Sequence, residues 1–198
     1  MKKFIIIGNP IKQSLSPKLL NYWFEKYKLS SIYERRLTYK EDLEKLCIDV
    51  KEGKLNGFNV TVPFKRDLEK FLEKLSPEAK QIRSVNTVSL ENGVLTGHNT
   101  DYFGFEKSIE KINYDINKKK VLIIGAGGVV PSLIYALNKM HVSNIIVINR
   151  TKEKAEELKK NFKNITIMNW GEDIDFDMVI NATSLGLNEN DKFNLKLL

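Results

Sequence analysis

Gly125-Ala126-Gly127-Gly128-Val129-Val130 follows the apolar run Val121–Ile124 and opens a stretch with helical apolar spacing. At such a strand-to-helix turn the first glycine permits the tight bend and the second lets a pyrophosphate approach the backbone. The helix N-terminus favours the negative charge. The same glycines could make an ordinary turn, but their strand–turn–helix setting favours a dinucleotide site. Val130 stands where a third Gly or Ala usually allows close packing, so a slightly displaced helix is expected. The next strand ends in Asn149-Arg150-Thr151, about 25 residues past Gly125. NAD-binding folds carry an acidic residue near this point for the ribose 2′-hydroxyl. An arginine instead meets a 2′-phosphate through paired, charge-assisted bonds. NADP is therefore expected over NAD.

The first half carries small polar groups at turns. Ser14-Leu15-Ser16 sets two hydroxyls just ahead of a helix start, where a carboxylate can bind; capping by Ser16 accounts for the pattern equally well. Asn59 and Thr61 share one face of a strand, and Pro63 then turns the chain out towards Lys65. Nothing local separates Lys65 from a solvent lysine. Asn86-Thr87 and Asn99-Thr100-Asp101 fall at strand ends, and Asp101 could simply cap the next helix. Cys47 lies among Leu43, Leu46 and Val50 at helical spacing and reads as a small core residue. One cysteine and two histidines exclude a disulfide framework and any Cys- or His-rich metal site, so no metal is expected.

These residues need elements to hold them. Phe4–Gly8 reads as a strand, and Ser16 as the cap of a helix carrying Leu19, Leu20, Trp23, Phe24 and Tyr27. A strand over Ile32–Thr38, a helix over Glu41–Lys51 and a strand over Gly57–Val62 follow. The spacing of Leu68, Phe71, Leu72 and Leu75 predicts a further helix, and Ser76-Pro77 opens another. Asn92-Gly93 between two β-rich runs predicts a hairpin. After a helix over Asp101–Ile112, four strands are expected near Val121–Ile124, Ile145–Ile148, Ile165–Met168 and Met178–Asn181, with helices from Val130 to about Met140 and over Lys152–Asn161. This βαβ order implies a doubly wound α/β sheet. About six strands are usual, so the sheet is expected to be incomplete at Leu198, with no closing element after Leu187.

The chain has 198 residues, 42% hydrophobic and 29% charged, a net charge of +7 and a pI near 9.3. That composition is globular. No apolar run approaches the ~18 residues of a membrane span. The N-terminus reads as a first strand and not as a signal peptide, so the expected setting is cytoplasmic, without a membrane partner. The lysines interleave with Glu along helices, as in Lys152-Glu153-Lys154, which describes solvated faces. No nucleic-acid partner is expected.

Taken together, Gly8-Asn9-Pro10…Ser14-Leu15-Ser16-Pro17, Gly57-Phe58-Asn59-Val60-Thr61-Val62-Pro63-Phe64-Lys65, Ser84-Val85-Asn86-Thr87, Gly97-His98-Asn99-Thr100-Asp101, Gly125–Gly128, Asn149-Arg150-Thr151 and Asn181-Ala182-Thr183-Ser184-Leu185-Gly186 resemble the shikimate dehydrogenase family over almost the whole chain. The resemblance implies an oxidoreductase that reduces 3-dehydroshikimate to shikimate with NADPH, in chorismate and aromatic amino acid biosynthesis. It implies an α/β substrate-binding domain over residues 1–100, a linking helix and break over 101–118, and a Rossmann-type NADP domain over 119–198, incomplete at its end. By the same resemblance Ser14 and Ser16 hold the substrate carboxylate. Thr61, Asn86 and Asp101 bind its hydroxyls, with Asn59 nearby, and Lys65 is the acid/base, positioned by Asp101. Gly125, Ala126, Gly127, Gly128 and Val129 cradle the pyrophosphate. Asn149, Arg150 and Thr151 take the 2′-phosphate, and Asn181, Ala182, Thr183 and Ser184 line the nicotinamide side. His98 receives no role. The family continues past Leu198 with segments that complete the site, so the chain as given is expected to be a fragment, inactive and poorly stable alone. A homodimer is compatible with the resemblance. Two alternatives stay open, a quinate/shikimate dehydrogenase of broader cofactor use and a non-catalytic ligand-binding module.

Overall fold

A computed structural model describes residues 1–186, which divide into two compact units after Thr100. The expected ending without a closing element, after Leu187, lies outside the described residues.

The first unit is built on six strands: β1 (Lys2–Gly8), β2 (Ser31–Leu37), β3 (Gly57–Val60), β4 (Lys74–Leu75), β5 (Thr87–Glu91) and β6 (Val94–His98), in the order β2-β1-β3-β5-β6-β4. β1 pairs in parallel with β2 and β3, while β5 runs antiparallel to β3 and β6. Alternation along β1 sorts the faces. Ile5 and Ile7 turn to a core shared with Phe58, Val60, Val88 and Leu95, covered by Leu43, Leu46, Cys47 and Val50 of α2 (Leu43–Lys51). Ile6 turns the other way and packs with Ile11, Tyr33, Leu20 and Phe24. Burial pushes the Cys47 thiol up to about 11, as suits an inert core residue. The hairpin turn holds Asn92 and Gly93 at φ of 52° and 80°, the left-handed pair a tight primed turn needs.

Two expectations fail here. Leu68, Phe71, Leu72 and Leu75 all pack on the first core, but not from an α-helix. Two 3-10 turns, Phe64–Arg66 and Glu69–Phe71, lead into Leu72 in extended conformation and then β4. Glu73 accepts the Leu95 N–H at 2.8 Å, and β4 pairs with β6. These tertiary bonds replace the helical ones. Ser16 is also not a cap: it is the first residue of α1 (Ser16–Lys26), after Leu15, and its N–H faces Ser14 Oγ at 3.4 Å. No residue of α1 is buried. Only Leu20 and Phe24 reach the core, while Trp23 stacks on Tyr27 at 5.6 Å.

The second unit contains α4 (Asp101–Lys111), β7 (Lys120–Ile124), α5 (Val130–Lys139), β8 (Asn144–Ile148), α6 (Lys152–Asn161), β9 (Ile165–Ile167) and β10 (Met178–Asn181). α3 (Pro77–Ile82) belongs to the first unit, capped by Ser76 Oγ, which accepts the Ala79 N–H. The four strands are parallel, in the order β10-β7-β8-β9. Val121, Ile123, Ile145 and Val147 pack against α4, α5 and α6, and Val130 is fully buried there. Leu122, Ile124, Ile146 and Ile148 face Met168, Trp170, Ile174 and Phe176 from the connection between β9 and β10.

Asp177 closes the head of this sheet. Its N–H donates to Lys120 O at 2.9 Å, and its carboxylate accepts the Lys120 N–H at 2.8 Å. That bond, with Lys119 adding charge, holds the carboxyl below its ordinary range. A carboxylate depressed in the folded state adds stability that is complete above its unfolded pKa. The contribution is lost as pH falls through the folded value. Asp177→Asn should therefore lower Tm at neutral pH and flatten the fall of Tm on acidification. A Tm–pH curve parallel to that of the unsubstituted chain would refute this.

Candidate active site

In the first unit the candidate residues gather at the carboxyl ends of β1 and β3, where parallel strands place ligands. Gly8 ends β1 beside Thr61: a Cβ at Gly8 would stand 2.6 Å from Thr61 Cγ2 and 3.1 Å from Val62 O. Asn9 N–H donates to Val62 O, and Thr61 N–H to Ile7 O. The turn carrying Ser14 is held from β2, where Arg35 Nε donates to Ser14 O at 2.7 Å. Half-buried Lys65 sits in the 3-10 turn after Pro63, between buried Phe64 and Leu68. Its carbonyl accepts the Val85 N–H at 2.8 Å, while Asn86 O accepts the Val60 N–H at 2.8 Å. Lys65 and Asn86 are thus fixed to the same end of the sheet, where β3 stops and β5 starts. Asn86 Oδ1 accepts the Thr100 N–H at 3.0 Å, and Asp101, the next residue, opens α4.

Asn59 differs from the others. Its Oδ1 accepts from Tyr33 Oη at 2.6 Å, and its Nδ2 donates to Asn86 O and to Thr87 Oγ1. It supports its neighbours through internal bonds. His98 pairs through Nε2 with Glu91 at 2.6 Å.

In the second unit a cavity of about 600 Å³ opens at the carboxyl ends of β7, β8 and β10. The sheet changes direction there, since β8 and β10 flank β7 on opposite sides. Gly125, Ala126, Gly127, Asn149, Arg150, Thr151, Ala182, Thr183 and Ser184 all line it. Gly128, Val129 and Asn181 do not. Asn181 staples the loop instead, accepting from Thr183 N–H and Oγ1 and donating to Leu185 O. The structure adds Lys154, Trp170 and Leu185 to the lining. Lys154 lies four residues past Arg150, one turn into α6, and that spacing could have revealed it. Trp170 comes from the loop after β9, and no local pattern marks it.

Residues 6–88 match the family described as shikimate dehydrogenase substrate binding domain, and residues 107–187 that described as Shikimate / quinate 5-dehydrogenase. The NADP(+) shikimate dehydrogenase of Pelagibacter ubique is 50% identical over 194 residues, 98% of this chain and 73% of that protein. The chain belongs to the shikimate dehydrogenase family. The crystal structure of the shikimate dehydrogenase from Aquifex aeolicus superposes with a TM-score of 0.91 at 37% identity, covering 100% of this chain and 75% of that one. The Thermus thermophilus shikimate 5-dehydrogenase, solved with NADP(H) and shikimate, gives 0.85 at 31% identity, covering 94% and 70%.

A shikimate dehydrogenase cavity must admit a dinucleotide, and this one fits. Gly125 has φ +111°, and a Cβ there would lie 3.0 Å from the Ala182 carbonyl, so it must be glycine for its own chain. Gly127 differs, because its Cβ would meet only Ala182 O at 3.7 Å. The protein leaves room for a side chain there, and the bare backbone faces the cavity. Among the described residues the N–H groups of Ala126 to Val129 find no protein acceptor, while that of Gly125 donates to Ile148 O. Unengaged donors ahead of a helix suit a pyrophosphate. Arg150 and Lys154 place two cations on the cavity wall, a pair that would suit a 2′-phosphate.

Proposed function

We propose that Lys65 is the acid/base of this enzyme, with Ser14, Ser16, Thr61, Asn86 and Asp101 as its substrate-binding residues. As a member of its family the chain is an NADP-dependent oxidoreductase that reversibly reduces 3-dehydroshikimate to shikimate, a step towards aromatic amino acids. The observation that carries the assignment is the anchoring of Lys65 and Asn86 to one end of the sheet, through Val85 N–H to Lys65 O and Val60 N–H to Asn86 O.

The substrate is a polyhydroxylated carboxylate and calls for directed hydrogen bonds. Ser14 and Ser16 hold the carboxylate at the start of α1. Thr61 and Asn86 take ring hydroxyls, and Asp101 accepts from a hydroxyl. NADPH, when bound, supplies the hydride. As the carbonyl oxygen gains charge, Lys65 stabilises it and donates a proton from Nζ; in the reverse direction Nζ takes the proton back. Gly125 to Val129 hold the pyrophosphate, and Asn149, Arg150, Thr151 and Lys154 the 2′-phosphoadenosine. Asn181 to Ser184 shape the nicotinamide side, Asn181 by stapling its loop.

In this reading residues 1–100 serve the substrate, 119–198 the dinucleotide, and 101–118 connect them. The partners are small molecules, without nucleic acid or membrane, and the setting is cytoplasmic. No described helix is long and apolar enough to cross a membrane. Initial rates with shikimate and NADP⁺ against quinate and NAD⁺ test the activity. Activity on quinate and NAD⁺ alone would overturn it.

Trp170 gives an independent check on the dinucleotide site. Addition of 2′,5′-ADP should quench tryptophan emission in the unsubstituted chain and in Trp23→Phe, but not in Trp170→Phe. A quench that survives Trp170→Phe would place the nucleotide elsewhere.

A further inference from the structure

Tyr33 lies on β2, the edge strand, yet is 3% exposed. The outward-facing backbone groups of this one residue are both taken by Asn21 of α1: Nδ2 donates to Tyr33 O at 2.8 Å, and Oδ1 accepts the Tyr33 N–H at 2.9 Å. That clasp pins the residue from which the phenol starts. β1 separates β2 from β3, and Phe4 pairs with Tyr33 while Ile6 pairs with Asn59. The phenol therefore spans β1 to reach Asn59, at 2.6 Å.

The direction of each bond in this chain is fixed. Asn86 O is a backbone carbonyl and can only accept, so the Asn59 atom facing it at 3.2 Å is Nδ2. Asn59 Oδ1 then faces Tyr33, and the phenol must donate. Burial pushes its pKa well above the ordinary tyrosine value, so the proton stays in place. Thr87 Oγ1 accepts from Asn59 Nδ2 at 2.8 Å, which leaves its own hydrogen for Asn86 Oδ1 at 3.0 Å. The Thr100 N–H donates to the same oxygen, and Asn86 Nδ2 donates to Thr100 Oγ1 at 2.9 Å. Donors from two sides hold the Asn86 amide in one orientation, and one side begins at Tyr33.

We propose that Tyr33 is a positioning residue of the substrate site, setting the Asn86 amide through Asn59 and Thr87. Tyr33 itself touches no substrate. The proposal rests on the assignment of Asn86 to the substrate. A partly buried network of this kind loses its order when one member is removed, because the remaining acceptor loses its donor.

The test is shikimate binding to the 198-residue chain by isothermal titration, with NADP⁺ binding measured in parallel. Tyr33→Phe keeps the ring and removes the donor, and should weaken shikimate about tenfold with NADP⁺ affinity unchanged. Thr87→Val breaks the chain further along and should give the same loss, so it carries the test if Tyr33→Phe folds poorly. The double variant should be no worse than either single one; unrelated structural damage would add instead. Asn86→Ala should lose shikimate binding outright. Unchanged shikimate affinity in Tyr33→Phe and Thr87→Val, beside a loss in Asn86→Ala, overturns the positioning role alone. Unchanged affinity in Asn86→Ala, or no shikimate binding by the unsubstituted chain, overturns the substrate assignment and the proposal with it. Additive losses, or a parallel fall in NADP⁺ affinity, reduce Tyr33 to a packing residue.

Discussion

Lys65→Ala should lower kcat for shikimate oxidation by about 10²–10⁴-fold, the range lost with a general acid or base, while shikimate affinity stays close to that of the unsubstituted chain. The fold tolerates the change. Lys65 is held by its backbone, with its carbonyl on the Val85 N–H, and the buried neighbours Phe64 and Leu68 anchor the turn on either side. Truncation thus removes the ammonium and leaves the loop in place. Lys65→Arg sharpens the result. It keeps a positive charge, but a guanidinium is a poor proton donor because it stays protonated at any working pH. It should recover little turnover. Steady-state kinetics with shikimate titration on each variant decides the matter, and near-normal turnover in Lys65→Ala would take the residue out of the mechanism.

The second large effect concerns cofactor choice. Arg150→Asp should weaken NADP⁺ binding about 10²-fold and narrow or invert the preference over NAD⁺. A hydrogen bond to a charged group contributes ~1.5–3 kcal/mol, and the substitution also sets an anion where the 2′-phosphate would lie. Lys154 lines the same cavity and retains part of the attraction, so Arg150→Asp combined with Lys154→Ala should weaken NADP⁺ further. NAD⁺ lacks the 2′-phosphate and should be little affected by Lys154→Ala. The measurement is kcat/KM for both cofactors in each variant. Equal constants for NADP⁺ and NAD⁺ in the unsubstituted chain, or equal losses for both in Arg150→Asp, would remove the 2′-phosphate role.

Much of this is legible in the residues alone, and the failures share a cause. Local chemistry announces the hairpin at Asn92-Gly93, the cap at Ser76 and the glycine turn after β7, because those signals depend on neighbours a few residues away. The helix expected over Leu68–Leu75 fails because apolar spacing reports which side chains are buried, not the backbone path between them. All four residues reach the core, through 3-10 turns and an extended strand. Ser16 reads as a cap in sequence, yet Ser14, two residues earlier, offers its hydroxyl to the same helix start. The supporting residues are invisible for a different reason. Tyr33 meets Asn59 across 26 positions, and Arg35 meets Ser14 across 21; no local window contains both partners. Asn59 has the look of a ligand in the sequence, and its bonds to Tyr33, Asn86 and Thr87 are not legible there.

The order of strands in the second unit also sets a schedule. β7 pairs with β8 soon after both exist, but its other edge waits for β10, because Val121 joins Met178 some 57 residues later. At about 5–20 residues per second of translation, that edge leaves the ribosome roughly 3–11 s before its partner is made. β7 is apolar on both faces, and in that interval it resembles the unprotected edges through which chains associate. Lys118, Lys119 and Lys120 stand at the head of the strand, and three like charges at its mouth repel a second copy until Asp175 arrives to pair with the Lys120 ammonium and Asp177 with that of Lys119.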